Sequence, residues 1–296
     1  MYLLFIIFFA CVSHAGSFKR ILIFGDSIAD VGGGYKLAES LNVSRVPPTH
    51  LYFDHHWSNG PLWSDYVAQE LLLEQKNYAV GGATLGLENA LQSFGASLGG
   101  IQQEIARFAD EYKYINKKTI TILEGGYNDI ILEIILRSSI AENTLENMLA
   151  RTEQRILELI DLGAKPLVVW NLFDATTAPI FNAPPFIVFA AKARQIIKDF
   201  NARLPVLIAD INNKKGGDII HIFDANKAFE KTLLELQNNG IDISVFTVTI
   251  LPSIPLSFSV VGPFDFQTVW YDTVHPGTYF WQKFAPQLIN FIKYNL

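Results

Sequence analysis

Five short runs stand out when apolar and polar positions are traced along the chain. They are Ile21–Phe24 (ILIF), Lys76–Val80 (KNYAV), Thr119–Leu123 (TITIL), Pro166–Trp170 (PLVVW) and Ile219–Phe223 (IIHIF). Brief runs of this kind, bounded by turn residues, predict strands, and the most apolar of them strands buried on both faces. The segments between them repeat at helical spacing. Pro61 stands near a first helical position, and Leu62, Tyr66, Val67, Leu71 and Leu72 follow it. Ile101, Ile105 and Phe108 predict an amphipathic helix through about Tyr112. Asn143–Leu162 predicts a long helix stopped by Gly163, and Pro185–Ile211 one that Pro205 kinks or divides. Further helices are expected after Phe223 through about Gln237, and from about Pro276 to Tyr294. Asp30 and the glycines 32–34 suggest a flexible turn, and Arg45–Trp57 and Leu85–Leu98 suggest loops. Val245–Phe266 is apolar, rich in Pro and Ser and without helical period, as expected for a wall or lid of a site. Strands alternating with helices predict a doubly wound α/β sandwich with a mainly parallel, five-stranded sheet. No repeat, long linker or charge block divides residues 16–296, which therefore read as one domain.

The chain has 296 residues, half of them apolar, and a net charge of −6. Its length supports a well-buried core, and the apolar share excludes a disordered or fibrous class. The negative charge argues against a general nucleic-acid binder. The first residues, MYLLFIIFFACVSHAG, read as a secretory signal. Tyr2–Val12 is too short for a comfortable membrane span, and Ser13-His14-Ala15 offers small residues where a signal peptidase reads, so cleavage after Ala15 is expected. No Lys or Arg precedes the apolar run. An uncleaved anchor, a buried N-terminal strand and acylation of Cys11 are the competing readings. Cys11 is the only cysteine. Cleavage after Ala15 leaves none, which excludes disulfides, thiolate zinc sites and a cysteine nucleophile. The expectation is a secreted or periplasmic protein with no metal and no cofactor.

Four loops carry short Gly-rich or polar signatures: Gly25-Asp26-Ser27, Gly81-Gly82, Gly126-Tyr127-Asn128-Asp129 and Asp272-Thr273-Val274-His275. The carboxyl ends of parallel strands converge on one edge of a sheet, where open α/β folds place their ligands. Ester hydrolysis needs a nucleophile, a base, a group that orients the base, and donors aimed at the developing oxyanion. Ser27 is the candidate nucleophile and His275 the candidate base. Asp272 lies close enough to hold the other ring nitrogen of His275 and fix its tautomer. The backbone N–H groups of Ser27 and Gly82 and the side-chain amide of Asn128 are the candidate oxyanion donors.

In this order the four blocks resemble the GDSL family of lipases and esterases, also called SGNH hydrolases. The first block reads GDSI here. Asn77–Ala83 (NYAVGGA) resembles the family's second block, and Trp270-Tyr271-Asp272 with His275-Pro276 its last. Ser58-Asn59-Gly60-Pro61 with Trp63, the segment from Asn171-Leu172 to Pro179, and Phe200-Asn201 with Leu204 also fit. The resemblance runs from about Lys19 to Ile292. It implies a flavodoxin-like three-layer sandwich, Ser27 as nucleophile, Asp272 and His275 as its partners, and Gly82 and Asn128 as completing the oxyanion hole. Gly81 is the neighbouring alternative, and counting from Asn77 selects Gly82. The implied activity is that of a secreted serine ester hydrolase working through an acyl-serine, or an acyltransferase if an alcohol replaces water. The aromatic stretch 45–57 and the apolar stretch 245–266 lean toward a lipid acyl chain. Phospholipase or lysophospholipase, glycerophospholipid acyltransferase and carbohydrate acetyl esterase are the alternatives within the family.

Several residues invite other readings. Ser97 in Gly95-Ala96-Ser97-Leu98-Gly99 fits the G-x-S-x-G elbow, but Asn89–Phe94 is a poor strand to launch it. His55-His56 suggests a metal, yet neighbouring side chains of an extended segment point apart, so a solvated loop is expected. His50 and His221 read as structural. Asp26 is expected to brace the first block and Asp129 to support the Asn128 turn. Tyr52, Phe53 and Trp57 either pack or line an acyl pocket. A catalytically silent binding protein on the same fold would not need the complete set. A flavodoxin-like nucleotide or phosphate binder lacks its glycine-rich signature after any strand.

Overall fold

The computed structural model describes residues 18–95, 98–251, 256–262, 265 and 267–296. The proposed leader with Cys11 and Ala15, the alternative nucleophile Ser97, and parts of the stretch 245–266 lie outside the described residues.

Five strands, β1 (Arg20–Phe24), β2 (Glu74–Asn77), β3 (Thr119–Leu123), β4 (Leu167–Trp170) and β5 (Ile220–Phe223), form one sheet in the order β2-β1-β3-β4-β5. Every pairing in it is parallel. Apart from Arg20, β1, β3 and β4 are buried throughout, which explains why they read as unbroken apolar runs. The helices are α1 (Gly33–Leu41), α2 (Trp63–Glu70), α3 (Ile101–Tyr112), α4 (Tyr127–Arg137), α5 (Thr144–Asp161), α6 (Ala190–Lys215), α7 (Ala225–Asn238) and α8 (Thr278–Asn295). α2, α7 and α8 pack as one set, and α3, α5 and α6 as another. Right-handed crossovers explain the division. The chain moves one way from β1 to β2, through α2, and the other way from β2 to β5, through α3, α5 and α6, which puts α2 opposite that set; α7 and α8 follow the last strand and pack with α2. Trp170 anchors the first face, with its ring 4.6 Å from Trp63 and 5.5 Å from Phe284. The strand order reverses between β1 and β3, and such a switch point opens a crevice at the carboxyl ends of the strands. There Phe24 pairs with Leu123, so the two strand ends are level.

The elements differ from the sequence pattern in five places. β2 ends at Asn77 and not at Val80. The Asn77 side chain accepts the Ala79 N–H (2.9 Å) and donates to Ala29 O (2.7 Å), while the Tyr78 and Val80 N–H groups still donate to Ile23 O (2.9 Å) and Gly25 O (3.2 Å). The glycine run does not make a flexible turn. It starts α1, because Asp30 Oδ1 accepts the N–H groups of Gly32 (3.0 Å) and Gly34 (3.1 Å) and satisfies donors that a helix start leaves free. α4 has no counterpart in the predicted elements. It begins directly behind Gly125 and Gly126, whose φ angles of 137° and 124° let β3 turn sharply into it. Pro205 does not divide α6, since buried Phe200, Leu204, Ile208 and Ile211 hold one face of it across the break. The stretch 245–266 contains an antiparallel ribbon, β6 (Val248–Leu251) with β7 (Ser257–Val260). No described helix is long and apolar enough to cross a membrane.

Candidate active site

Ser27 follows β1 by three residues, in a tight turn where the Ala29 and Asp30 N–H groups both donate to Asp26 O (3.1 and 3.0 Å). Its Oγ lies 2.8 Å from His275 Nε2. His275 Nδ1 lies 2.7 Å from Asp272 Oδ2, and Asp272 Oδ1 accepts the N–H groups of Val274 and His275, both at 2.7 Å. A carboxylate beside Nδ1 assigns the ring proton to that nitrogen and leaves Nε2 free to accept from the serine. The loop that carries Asp272 and His275 is tied to the β6–β7 ribbon, with the Val248 N–H donating to Tyr271 O (3.0 Å).

Gly82 and Asn128 line one cleft with Ser27 and His275. The Gly81 N–H is taken by Asp30 Oδ2 (2.8 Å), whereas the N–H groups of Gly82 and Ser27 have no acceptor among the described residues. Gly82 has φ 81°, and a Cβ there would stand 2.5 Å from Asn89 Oδ1, so both backbone shape and space require glycine. Asn128 sits in the first turn of α4, and its Nδ2 donates to Ala83 O (3.1 Å).

Behind the serine lies a set of buried carboxyl groups. The Gly25 N–H donates to Glu104 Oε2 (2.9 Å), Asp26 N–H to Glu124 Oε1 (2.7 Å), and Leu85 N–H to Asp129 Oδ2 (2.9 Å). A Cβ at Gly25 would fall 1.9 Å from Glu124 Oε1. Burial pushes Asp26 up to about 6, against the pull of the Ile28 N–H and His275. It also pushes Asp129 up to about 6, against the Leu85 N–H and Arg151. Burial holds Glu104 and Glu124 well above the usual carboxylate range, and the charge of Asp26 raises both further. Asp26 thus braces its own block, accepting the Ile28 N–H at 3.1 Å. Asp129 ties the α4 start to Leu85 and, through Oδ1, to Arg151 (2.9 Å).

In front of the serine the walls are apolar. Leu91, Phe94, Ile131, Ile135, Ile180, Phe186, Ile250 and Leu256 line a partly open cleft. Trp57 joins them, with its ring 4.9 Å from that of His275. Tyr52 does not line this cleft. It is buried, and its hydroxyl donates to Asp272 Oδ2 (2.7 Å). Phe53 is exposed. The two histidines after it differ. His55 stacks on Tyr35, while His56 is buried, not solvated, and bonds Asp65 Oδ2 through Nε2 (3.1 Å). Burial alone would lower the pKa of His56, but the Asp65 carboxylate raises it overall. Among the described residues no group of His, Cys, Asp and Glu is arranged to hold a metal ion.

Sequence reasoning missed Glu104, Glu124, Asp30 as a tether, and the hydroxyl of Tyr52. One signal was present: Glu104 falls on the buried face of its helix, between Ile101 and Phe108. A charged residue on an apolar stripe needs a polar partner inside.

The sequence profile of the GDSL-like lipase/acylhydrolase family matches residues 21–286. Among curated proteins, the chain is similar to a thermolabile hemolysin of Vibrio parahaemolyticus, 29% identical over 170 residues, or 55% of this chain and 36% of that one. It is also similar to a phosphatidylcholine-sterol acyltransferase of Aeromonas hydrophila, 24% identical over 229 residues, 76% of this chain and 64% of that one. A GDSL esterase/lipase of Arabidopsis thaliana is 29% identical over 194 residues, 52% of this chain and 49% of that one. The match thus spans between about a third and two thirds of the length of these relatives. One similar solved structure is an acetylxylan esterase from Geobacillus stearothermophilus, at 14% identity and a TM-score of 0.46 over 93% of this chain and 94% of that one.

Proposed function

The chain belongs to the GDSL-like lipase/acylhydrolase family, and from that premise we propose that it is a serine hydrolase cleaving acyl esters of lipids through an acyl-Ser27 intermediate. The observation that carries this reading is the hydrogen-bonded line from Ser27 through His275 to Asp272, opening onto an apolar cleft. His275 Nε2 takes the Ser27 proton as Oγ attacks the acyl carbonyl, and Asp272 holds the imidazolium that forms. The N–H groups of Ser27 and Gly82 and the amide of Asn128 receive the oxyanion. His275 returns its proton to the leaving alcohol, then activates water, which releases the acid and restores the serine. An acceptor alcohol in place of that water turns the same cycle into acyl transfer. The similarity to the acyltransferase of Aeromonas hydrophila supports testing for it.

The apolar walls favour a fatty acyl chain over an acetyl group, because Leu, Ile and Phe side chains line the cleft beyond Ser27 and His275 and offer an acetyl group little to bind. The test is a panel of nitrophenyl esters from acetyl to palmitoyl, with phospholipid and lysophospholipid, each with and without an acceptor alcohol. The expected result is a kcat/KM that rises with chain length. Best turnover on acetyl, with loss beyond butyryl, would contradict the lipid assignment and favour a carbohydrate acetyl esterase. The apolar leader supports export with cleavage after Ala15. A mature protein beginning at Gly16 is the expected outcome of N-terminal sequencing.

A further inference from the structure

Asp272 is fully buried, and each of its oxygens has two donors. Backbone N–H groups occupy Oδ1. On Oδ2 the imidazole shares its acceptor with a second side chain, the hydroxyl of Tyr52, both at 2.7 Å. Tyr52 comes from the irregular stretch 45–57, far from Asp272 in sequence. Its ring is fixed edge-on against Tyr271 (5.1 Å), Trp57 (5.9 Å) and Phe258 (5.7 Å).

We propose that Tyr52 is a positioning residue for the base: its hydroxyl orients the Asp272 carboxylate and moderates the charge which that carboxylate presents to His275. The inference rests on the catalytic reading of Ser27, His275 and Asp272. A donor to a charged acceptor interacts strongly where water is excluded. By drawing charge from Oδ2, it weakens the hold of Asp272 on the imidazolium and keeps the base neutral to lower pH. Burial and the Asp272 charge hold the Tyr52 phenol well above its usual range, so it remains a donor wherever the enzyme works. The other titratable groups acting on this pair are Asp26, from the turn after β1, and Tyr271, beside Asp272. Tyr271 donates to Leu51 O, not to the carboxylate. Tyr52 does not line the cleft, so its effect belongs to proton transfer and not to substrate binding.

The experiment measures kcat and KM against pH for wild type, Tyr52→Phe, Tyr271→Phe and Ser27→Ala. It also follows the low-field Nδ1–H resonance of His275 in the first three. Tyr52→Phe is expected to keep KM within about twofold and to lower the plateau kcat about threefold to tenfold. Its acid limb moves up by about half a pH unit or more, and the His275 resonance titrates with it. Tyr271→Phe leaves the limb at the wild-type position. If Tyr52→Phe folds poorly, 3-fluorotyrosine at position 52 keeps the shape, and its stronger donor moves the limb down. A Tyr52→Phe limb that coincides with wild type, an equal shift in Tyr271→Phe, or a fluorotyrosine limb that stays put overturns the proposal. Full activity in Ser27→Ala instead overturns the catalytic reading beneath it.

Discussion

The two sides of Ser27 are built from opposite materials. Behind it, Glu104, Glu124, Asp30 and Asp129 reach in from four segments, and each accepts a backbone N–H of a loop that forms the site. In front of it, the cleft is walled by Leu, Ile and Phe. Carboxyl groups hydrogen-bond directionally, so the rear fixes where the glycine-rich turns stand. Apolar walls are not directional, and they select by size and shape. The division separates the placing of the reaction from the choice of substrate. Each half can then be perturbed without the other.

The largest effect is expected where the halves meet. His275→Ala removes the proposed base from the line to Ser27 and is expected to lower kcat about 10⁴–10⁶-fold, read by steady-state hydrolysis of a fatty ester. Asn128→Ala removes one proposed oxyanion donor and is expected to lower kcat about 10²–10³-fold with KM little changed. A drop confined to KM would move Asn128 from the site's chemistry to its walls.

The front alone is tested by Ile135→Trp, a cleft-lining position two turns along α4 from Asn128. It is expected to reduce kcat/KM on long-chain esters about tenfold and to leave acetyl ester turnover within about twofold. Equal losses on both would mean that the cleft does not hold the acyl chain. The smallest effect tests the rear. Glu104 has a folded pKa raised above its unfolded value, so its stabilising contribution is present below the unfolded carboxylate range and lost as pH rises through the folded value. Asp26 and Asp129 follow the same sign, losing stability as pH rises from about 3.8 to about 6. Glu104→Gln keeps an oxygen for the Gly25 N–H and removes one of these ionisations. Its Tm is expected to fall less than that of wild type as pH rises above about 4.5, by about a few degrees in calorimetry.

The strand runs and the four blocks were legible because their information is local: an apolar run, a glycine, an Asp three residues before a His. α1 and α4 were not, since the glycines that start them look like turn residues until Asp30 and the end of β3 are placed in space. The rear scaffold was also hidden. Asp26 and Glu124 meet across adjacent strands, and sequence order says nothing of that register. The stretch 245–266 showed its apolar character but not its ribbon: Phe246–Ile250 (FTVTI) and Ser257–Val260 (SFSV) do alternate apolar and polar residues, but each run is too short to stand out from the Pro- and Ser-rich sequence around it.

The most direct test of the central claim is covalent labelling with a fluorophosphonate, followed by peptide mass spectrometry. The account predicts a single adduct on Ser27 in the wild type and none in Ser27→Ala. Labelling that persists in Ser27→Ala, or an adduct that maps to Ser97, would contradict it.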